Sequence, residues 1–296
     1  MKPGRFSYAA PESTNEVFSL LKQYGDDAKL LAGGQTLGPM LNLRVIAPRV
    51  VIDINRVDGL GGLSLSDPID SIGALTRQST LEDHPQFCDR HPLIAEALPH
   101  IAHRPIRNRG TVGGSLAHAD PAAEWGALVL ATDASLVIAD AAETYRIAAK
   151  DFFLGPLTTQ IQADQLLLAI ELPRREEATG EHFVEFSRRR GDFAMVGVAC
   201  RLILMPNRQP KLARIALIGV EDVPLRAERA EAIALEMGNA NLDESLAAIG
   251  QAAAEDINPI DDLHASSHYK RKLTNVLVQR AVREAWIRAQ RATTPD

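Results

Sequence analysis

Two glycine-rich stretches constrain this chain more than any other feature of its sequence. The first, "LAGGQTLGPMLNLRV", covers residues 31–45, and the second, "GTVGGSLAHADPAAE", covers residues 110–124. Each contains a Gly-Gly pair followed by small polar side chains, and neither contains a lysine. Glycine loses more conformational freedom on folding than any other residue, so a repeated pair indicates a backbone that must bend sharply or be approached closely.

Both stretches are suited to binding an anion through the backbone. Turn N–H groups that converge on one point form an anion site without a lysine, and a helix that begins at the turn adds its dipole. Gly33 and Gly34 leave the main chain open to a phosphate, and Thr36 adds a hydroxyl donor. The second stretch repeats the design with two hydroxyls and two bare backbone positions: Thr111, Gly113, Gly114 and Ser115. Two such turns suit a ligand with two phosphates, and a dinucleotide is the natural candidate.

The alternatives are a pair of ordinary tight turns and a Rossmann site. A single Gly-Gly pair is usually a turn, so the argument depends on having two of them, each followed by small hydroxyl residues. The Rossmann fingerprint requires Gly-x-Gly-x-x-Gly between a strand and a helix. The sequence "GLGGLS" at residues 59–64 leads into a predicted hairpin around Asp67 and Pro68, so it does not meet that requirement.

The order of predicted elements indicates an α+β protein. A capped amphipathic helix (residues 13–25), a strand, the first glycine stretch with a short helix, and a second strand (residues 49–55) form a β-α-β-like unit. Residues 79–102 are predicted helical with breaks at Pro85 and Pro92, and residues 122–131 form an apolar helix. After about residue 173 the pattern predicts three antiparallel strands and three helices, so a domain boundary falls near residues 174–180.

Composition excludes several classes of protein. The 296 residues carry a net charge of −6 without a clustered basic face, so no nucleic-acid partner is expected. Cys88 and Cys200 are too few for an iron–sulfur cluster and have no disulfide pattern. No metal site is expected, because the histidine spacings match no zinc motif. Without a signal peptide or a membrane-spanning run, we expect a cytoplasmic protein.

Four segments resemble one known family. They are "AGGQTLGPMLNLR", "IRNRGTVGGSLAHADPAAEW", "LLLAIELP" and "RRRGDFAMVGVA", and they are similar to the FAD-binding medium subunit of the molybdenum hydroxylases, the family of carbon monoxide dehydrogenase flavoprotein and xanthine dehydrogenase. The resemblance covers residues 6–288. It implies an FAD-binding domain of the vanillyl-alcohol oxidase (PCMH) type in two subdomains, residues 1–57 and 58–175. It further implies a C-terminal CO dehydrogenase flavoprotein-like domain, residues 176–296, with a three-stranded antiparallel sheet and a helix bundle.

The resemblance also implies which residues hold FAD, without a covalent bond. Residues 32–36 and 111–115 wrap the pyrophosphate, Glu124 reaches the ribose, and Ile101 and Leu167 line the flavin. Arg189, Asp192 and Phe193 lie near its ring, and Phe193 lacks the hydroxyl of the Tyr that close relatives often carry. The full set is Ala32, Gly33, Gly34, Gln35, Thr36, Leu37, Ile101, Thr111, Gly113, Gly114, Ser115, Ala117, His118, Asp120, Glu124, Leu167, Arg189, Asp192 and Phe193.

No catalytic residue is expected beyond the flavin itself. His118 and Asp120 could form an acid–base pair, but flavin electron transfer needs no separate base, so we interpret them as shaping the turn before Pro121. The arginines at positions 104, 107 and 109 have two equally good interpretations, which are phosphate neutralisation and a solvated or subunit-facing role.

By resemblance, the chain is the electron-transfer subunit of an oxidoreductase. A small partner subunit with [2Fe–2S] clusters passes electrons to FAD, a large partner subunit carries the molybdopterin cofactor, and an external acceptor oxidises the flavin. The expected assembly is a dimer of heterotrimers. The alternatives are a free-standing flavoenzyme, which would need its own substrate pocket, and an assembly protein that has lost its flavin, against which the intact glycine motifs argue.

Overall fold

The first part of the chain is a small unit built on a three-stranded parallel sheet. A computed structural model describes residues 1–238 and 241–292. The sheet has the strand order β1-β3-β2, with both pairs parallel. Its elements are β1 (Ser7–Ala9), α1 (Thr14–Tyr24), β2 (Ala28–Leu31), α2 (Leu37–Asn42) and β3 (Val50–Asp53). The predicted β-α-β-like unit is confirmed.

Local signals explain the bounds of α1. The Ser13 hydroxyl accepts a hydrogen bond from the Glu16 N–H, so it caps the helix. At the other end Gly25 has φ of 50°, a left-handed conformation that glycine adopts without strain. Val17, Phe18 and Leu21 then pack against the sheet, in a cluster that also contains Val50.

The second part is built on a five-stranded antiparallel sheet of order β4-β5-β10-β6-β7. Its strands are β4 (Leu63–Ser64), β5 (Ile69–Gly73), β6 (Ser135–Ala139), β7 (Thr144–Ala148) and β10 (Leu166–Pro173), with a separate hairpin of β8 (Phe153–Gly155) and β9 (Thr158–Thr159). The hairpin predicted around Asp67 and Pro68 is the β4–β5 pair. The sequence "GLGGLS" therefore ends in a strand, as expected.

Short helices surround this second sheet: α3 (Gln78–Glu82), α4 (Pro85–Arg90), α5 (Pro92–Ala97), α6 (Arg104–Arg107), α7 (Val112–His118) and α8 (Glu124–Ala131). The predicted breaks at Pro85 and Pro92 are confirmed, since each proline is the first residue of a new helix, where its missing N–H costs nothing. The predicted helix at residues 122–131 begins two residues late. The Asp120 carboxylate accepts a hydrogen bond from the Ala122 N–H and holds a turn there.

The third part is a sheet covered by helices on one face. It contains β11 (Thr179–Phe186), β12 (Val196–Leu204), β13 (Pro210–Ile218), β14 (Leu225–Arg226), α9 (Glu228–Leu235), α10 (Leu242–Asp256) and α11 (Ser267–Ala292). The three predicted strands and three predicted helices are present, but the sheet has a fourth strand, β14. Arg226 on this strand pairs with Ala216 on β13, and a strand of two residues is too short to show a period in the sequence.

Strand β12 explains how the third part joins the second. All of its residues are buried. Val198, Cys200 and Leu202 pack in the cluster that contains α10 and α11, whereas Ala199 packs in the cluster that contains α8. Because successive side chains point to opposite faces, this strand is covered on both sides and shows no alternation of polar and apolar residues.

Within the described residues, no helix has both the length and the apolar character needed to cross a membrane. The cytoplasmic location stays a prediction. Residues 293–296, at the end of the predicted third domain, lie outside the described part of the chain.

Candidate functional site

The first glycine segment, residues 32–37, connects β2 to α2. Gly33 is buried against the second stretch, and a Cβ there would overlap the carbonyl oxygen of Arg109 and lie 2.9 Å from Gly110 Cα. Gly34 has φ of 70°, which is strained for other residues. Both glycines are therefore required, the first by the close approach of two chain segments and the second by its backbone conformation.

The backbone N–H groups of this segment are free to bind a ligand. Among the residues that the structure describes, none accepts a hydrogen bond from the N–H of Gly34, Gln35 or Thr36. The Gln35 side chain donates to the carbonyl oxygen of Gly33 at 3.0 Å and braces the turn. Consecutive unpaired N–H groups in a turn form the concave, positive surface that binds anions, so the prediction for this segment agrees with its geometry.

The second glycine segment, residues 110–120, differs from the prediction. Thr111 caps α7 by accepting a hydrogen bond from the Gly114 N–H at 3.1 Å. The Gly113 N–H donates to the Ala74 carbonyl oxygen at 2.9 Å, and a Cβ on Gly113 would lie 2.5 Å from Ala74 Cβ. The N–H groups of both glycines are thus used inside the protein. Gly113 permits close packing on the end of β5, and Gly114 leaves an exposed backbone surface.

A cavity of about 740 Å³ lies between these segments, within the size range of small-molecule and cofactor sites. Every residue of the predicted set except Arg189 lines it: Ala32, Gly33, Gly34, Gln35, Thr36, Leu37, Ile101, Thr111, Gly113, Gly114, Ser115, Ala117, His118, Asp120, Glu124, Leu167, Asp192 and Phe193. Residues from all three parts of the chain therefore meet around one space.

Arg189 lies outside the lining of this cavity. It is exposed in the loop after β11, and its carbonyl oxygen accepts hydrogen bonds from the Asp192 N–H and the Ser187 hydroxyl. The loop then turns back towards the cavity at Gly191, where a Cβ would lie 2.7 Å from the His103 ring. The backbone of Arg189 thus shapes the loop that brings Asp192 and Phe193 to the cavity, and its side chain is not part of that wall.

Sequence reasoning missed a further part of the lining. The additional residues are Lys29, Leu30, Met40, Ile46, Ile54, Ala74, Leu75, Gln78, Ala102, Ile106, Gly110, Ala123, Leu157, Ile161, Gln165, Leu166 and Gly191. Most are apolar residues, and many of them lie in the loops between strands and helices. Nothing in the local sequence separates such a residue in a cavity wall from one in a packed core. Gly110 and Gly191 could have been predicted, because both stand in sequence motifs that carried the family resemblance.

Glu124 is an acidic side chain buried in the wall of the cavity. It is the first residue of α8 and is 5% exposed. Burial, with a smaller contribution from the neighbouring Glu185, raises the pKa of Glu124 to about 8. The carboxyl group is therefore mostly protonated at neutral pH, so it adds no negative charge to a site with anion-binding turns.

Other candidate side chains have assigned partners. Asp120 holds the turn before α8, as interpreted from the sequence, although it and His118 also line the cavity. Arg104 and Arg107 both pair with Glu82, and Arg107 also donates to the carbonyl oxygen of Ile101. These two arginines are therefore committed to ion pairs within the chain, a use that neither of the two interpretations anticipated.

Comparison with known proteins identifies the family. The family model described as the FAD binding domain in molybdopterin dehydrogenase matches residues 4–175. The chain belongs to the FAD-binding medium subunits of the molybdenum hydroxylases. A second model, the CO dehydrogenase flavoprotein C-terminal domain, matches residues 181–285 of this medium subunit.

Curated relatives and solved structures cover nearly the whole medium subunit. It is 37% identical to the 6-hydroxypseudooxynicotine dehydrogenase complex subunit alpha of Paenarthrobacter nicotinovorans, over 98% of this chain and 97% of the relative. It is also 37% identical to the carbon monoxide dehydrogenase medium chain of Hydrogenophaga pseudoflava, over 97% and 99%. A solved structure of carbon monoxide dehydrogenase from Hydrogenophaga pseudoflava matches with a TM-score of 0.94 and 38% identity, covering 97% of this chain and 99% of that chain. The medium subunit is thus part of an oxidoreductase.

The described residues fit FAD. The unpaired N–H groups of residues 34–36 suit a pyrophosphate, and the missing Cβ atoms of Gly34 and Gly114 leave room for a close approach. Apolar residues such as Met40, Ile101 and Leu167 provide surfaces for flat rings. The neutral carboxyl group of Glu124 can donate a hydrogen bond without repelling phosphates.

Proposed function

We propose that this chain is the FAD-carrying electron-transfer subunit of a heterotrimeric molybdenum hydroxylase. It takes electrons from [2Fe–2S] clusters of a small partner subunit and passes them to an external acceptor, while a large partner subunit with the molybdopterin cofactor oxidises the substrate. The observation that carries the proposal is the cavity between the two glycine segments, in a chain aligned with carbon monoxide dehydrogenase medium chain from end to end. FAD supplies the redox chemistry, and the protein supplies position and electrostatics.

Within this proposal, the two glycine segments divide the binding of FAD between them. Residues 34–36 donate backbone N–H groups to the pyrophosphate, and Thr36 adds its hydroxyl. The second segment presents the bare Cα surface of Gly114 and the Ser115 hydroxyl, while the N–H groups of Gly113 and Gly114 stay bonded inside the protein. Glu124 faces the ribose region. The remaining predicted lining residues complete the walls, with Ile101, Leu167, Asp192 and Phe193 at the flavin end.

We further propose that the chain is divided into domains at residues 1–57, 58–175 and 176–296. Three hydrophobic clusters support this division, centred on α1 and the first sheet, on the second sheet and its helices, and on α10 and α11. The first two domains hold FAD, and the third contributes residues 191–193 to the cavity.

The substrate is proposed to bind outside this chain. The named relatives act on 6-hydroxypseudooxynicotine and on carbon monoxide, which share no chemistry that one flavin site would recognise. Such variety is expected if the substrate pocket belongs to another subunit. It also explains why the cavity needs no acid–base pair.

The test is native purification of the tagged chain from its source cells, followed by analysis of its cofactor and its partners. We expect an absorption band near ~450 nm, acid-released FAD at about one per chain, and two co-purifying subunits, one with iron and one with molybdenum. FAD without any partner would favour the free-standing flavoenzyme. Absence of FAD, even after addition to the purified chain, would refute the proposal.

A further inference from the structure

A third segment, residues 76–78, runs between the two glycine segments and belongs to neither. It lies antiparallel to the start of the second segment. The Gln78 N–H donates to the Gly110 carbonyl oxygen at 3.0 Å, and the Val112 N–H donates to the Thr76 carbonyl oxygen at 3.1 Å. Both of these hydrogen bonds are made by the backbone, so the side chains of Arg77 and Gln78 remain available for contacts around the cavity.

The Arg77 guanidinium connects the two glycine segments. It donates to the Arg109 carbonyl oxygen at 2.5 Å and to the Asn55 side-chain oxygen at 2.6 Å. Asn55 in turn donates to the Ala32 carbonyl oxygen at 2.8 Å. Arg77 and Asn55 together thus connect Ala32, the residue before Gly33, to Arg109, the residue before Gly110. Gly33 and Gly110 are the two glycines whose backbones lie in close contact.

Gln78 borders the cavity and carries a buried hydrogen-bonding atom without a partner among the described residues. It is 4% exposed and lines the cavity wall. Its side-chain oxygen is buried and has no hydrogen-bond partner among the residues that the structure describes. A buried polar atom without a partner is costly, and native proteins retain few of them. A ligand that brings a hydrogen-bonding group to this position removes the cost.

We propose that residues 77 and 78 form a third element of the cofactor site, in which Gln78 hydrogen-bonds FAD directly and Arg77 positions the two glycine segments. The inference rests on the proposed FAD function. The group that Gln78 recognises is an N–H or hydroxyl donor of FAD, or an acceptor if the amide is rotated by half a turn.

The first test replaces Gln78 with Met, which has similar size and no amide. Because the apoprotein loses an unpaired buried oxygen, Gln78→Met should leave the thermal midpoint of the apoprotein unchanged or raise it. The dissociation constant for FAD, measured by fluorescence titration, should rise about tenfold, the loss expected for one buried hydrogen bond. The matched control is Gln86→Met, the same change at an exposed position on α4 away from the cavity.

A purely structural role for Gln78 predicts the opposite pattern. In that case Gln78→Met lowers the midpoint of the apoprotein, and FAD affinity falls no further than the loss of folded protein explains. That result, or an unchanged dissociation constant, would overturn the assignment of Gln78. Failure of the wild-type chain to bind FAD would instead refute the proposed function, so the two failures are distinguishable.

The second test separates geometry from charge at Arg77. Arg77→Lys keeps the positive charge, but one ammonium group does not reproduce the planar fork that reaches two acceptors. We expect Arg77→Lys and Arg77→Met to speed FAD dissociation to a similar extent, at least tenfold, and to change the visible circular dichroism of bound flavin. The control is Arg146→Met on β7, which removes a bidentate ion pair with Glu171 on β10. Wild-type dissociation and dichroism in Arg77→Lys would overturn the positioning role.

Discussion

At the scale of single residues, the most consequential feature of the site is a carboxyl group that stays neutral. Glu124 is buried beside Glu185, whose side chain is 3% exposed and pairs with His100 at 3.2 Å. The hydrogen bond to Glu185 raises the pKa of His100. Glu185 therefore has His100 on one side and Glu124 on the other. Protonation of Glu124 avoids a buried negative charge next to a site built for phosphates.

This neutral state predicts a pH dependence for FAD binding. The dissociation constant for FAD should be constant at pH values below about 8 and rise by up to tenfold per pH unit above it, because ionised Glu124 repels the phosphates. Glu124→Gln keeps the donor without the charge and should abolish the rise. Fluorescence titration across pH 6 to 9.5, with the exposed Glu143→Gln as control, measures this. A rise that persists in Glu124→Gln would show that another group is responsible.

The same carboxyl group affects the stability of the apoprotein with a definite sign. Its pKa is raised from 4.5 to about 8 on folding, so the folded state binds the proton more tightly than the unfolded state. Glu124 therefore lowers the free energy of unfolding progressively as pH rises from 4.5 to 8. Chemical denaturation of the apoprotein should show that the free energy of unfolding falls less between pH 4.5 and 8 in Glu124→Gln than in the wild type. An identical pH profile in both proteins would contradict the buried, neutral state.

At the scale of elements, the cavity depends on close contact between two turns that are far apart in sequence. Gly33 touches the backbone at Arg109 and Gly110, and Gly113 packs on Ala74 at the end of β5. Side-chain atoms at these positions would separate α2 and α7, the two helices that begin at the glycine segments. Glycine is therefore needed for packing between elements as much as for contact with a ligand.

Gly33→Ala tests this packing. The added methyl group overlaps the Arg109 carbonyl oxygen, so the two segments must move apart and FAD affinity should fall by at least a hundredfold. The control is Gly38→Ala, where a Cβ would meet nothing within 4 Å and where the helix α2 favours alanine. FAD content after gel filtration and the thermal midpoint of the apoprotein are the measurements. Equal FAD content in the two variants would contradict the close approach seen here.

At the scale of the whole molecule, an ion-pair network joins the FAD-binding part to the C-terminal part. Glu96 on α5 contacts His182 on β11 at 2.9 Å and Arg288 on α11 at 3.0 Å, and it accepts a hydrogen bond from the Phe183 N–H. These partners outweigh the effect of burial and lower the pKa of Glu96 to about 2. The network ties α5 to α11 and to β11, the strand that precedes the loop carrying residues 191–193, which line the cavity.

The interface should therefore be sensitive to acid. The pKa of Glu96 in the folded protein lies below its usual value of 4.5, so its contribution to stability is complete above pH 4.5 and is lost as the pH falls towards 2. Glu96→Gln should destabilise the protein at pH 7 by on the order of 2 kcal/mol and reduce the loss of stability between pH 4.5 and 2. Denaturation curves against the exposed Glu244→Gln control measure both effects. Equal stability of the two variants at pH 7 would contradict a stabilising role for the Glu96 ion-pair network.

The sequence by itself determined the elements that local chemistry specifies. Ser13 and Gly25 bound α1, Pro85 and Pro92 begin helices, and paired glycines mark the turns. These signals act within a few residues of the chain, so no tertiary contact is needed to interpret them. The family resemblance, carried by four segments that include the two glycine stretches, also predicted the family, the fold and a set of residues that line the cavity. Contact of those residues with FAD stays a prediction.

Only the tertiary structure decided how the polar groups of the site are used. It assigned the N–H groups of Gly113 and Gly114 to partners within the protein, and it placed the Arg189 side chain outside the cavity. It also left the side-chain oxygen of Gln78 without a partner among residues 1–238 and 241–292, and it made Glu124 neutral. Each outcome depends on atoms contributed by distant parts of the chain. Desolvation and hydrogen-bond partners belong to the space around a residue, and one-dimensional spacing does not contain them.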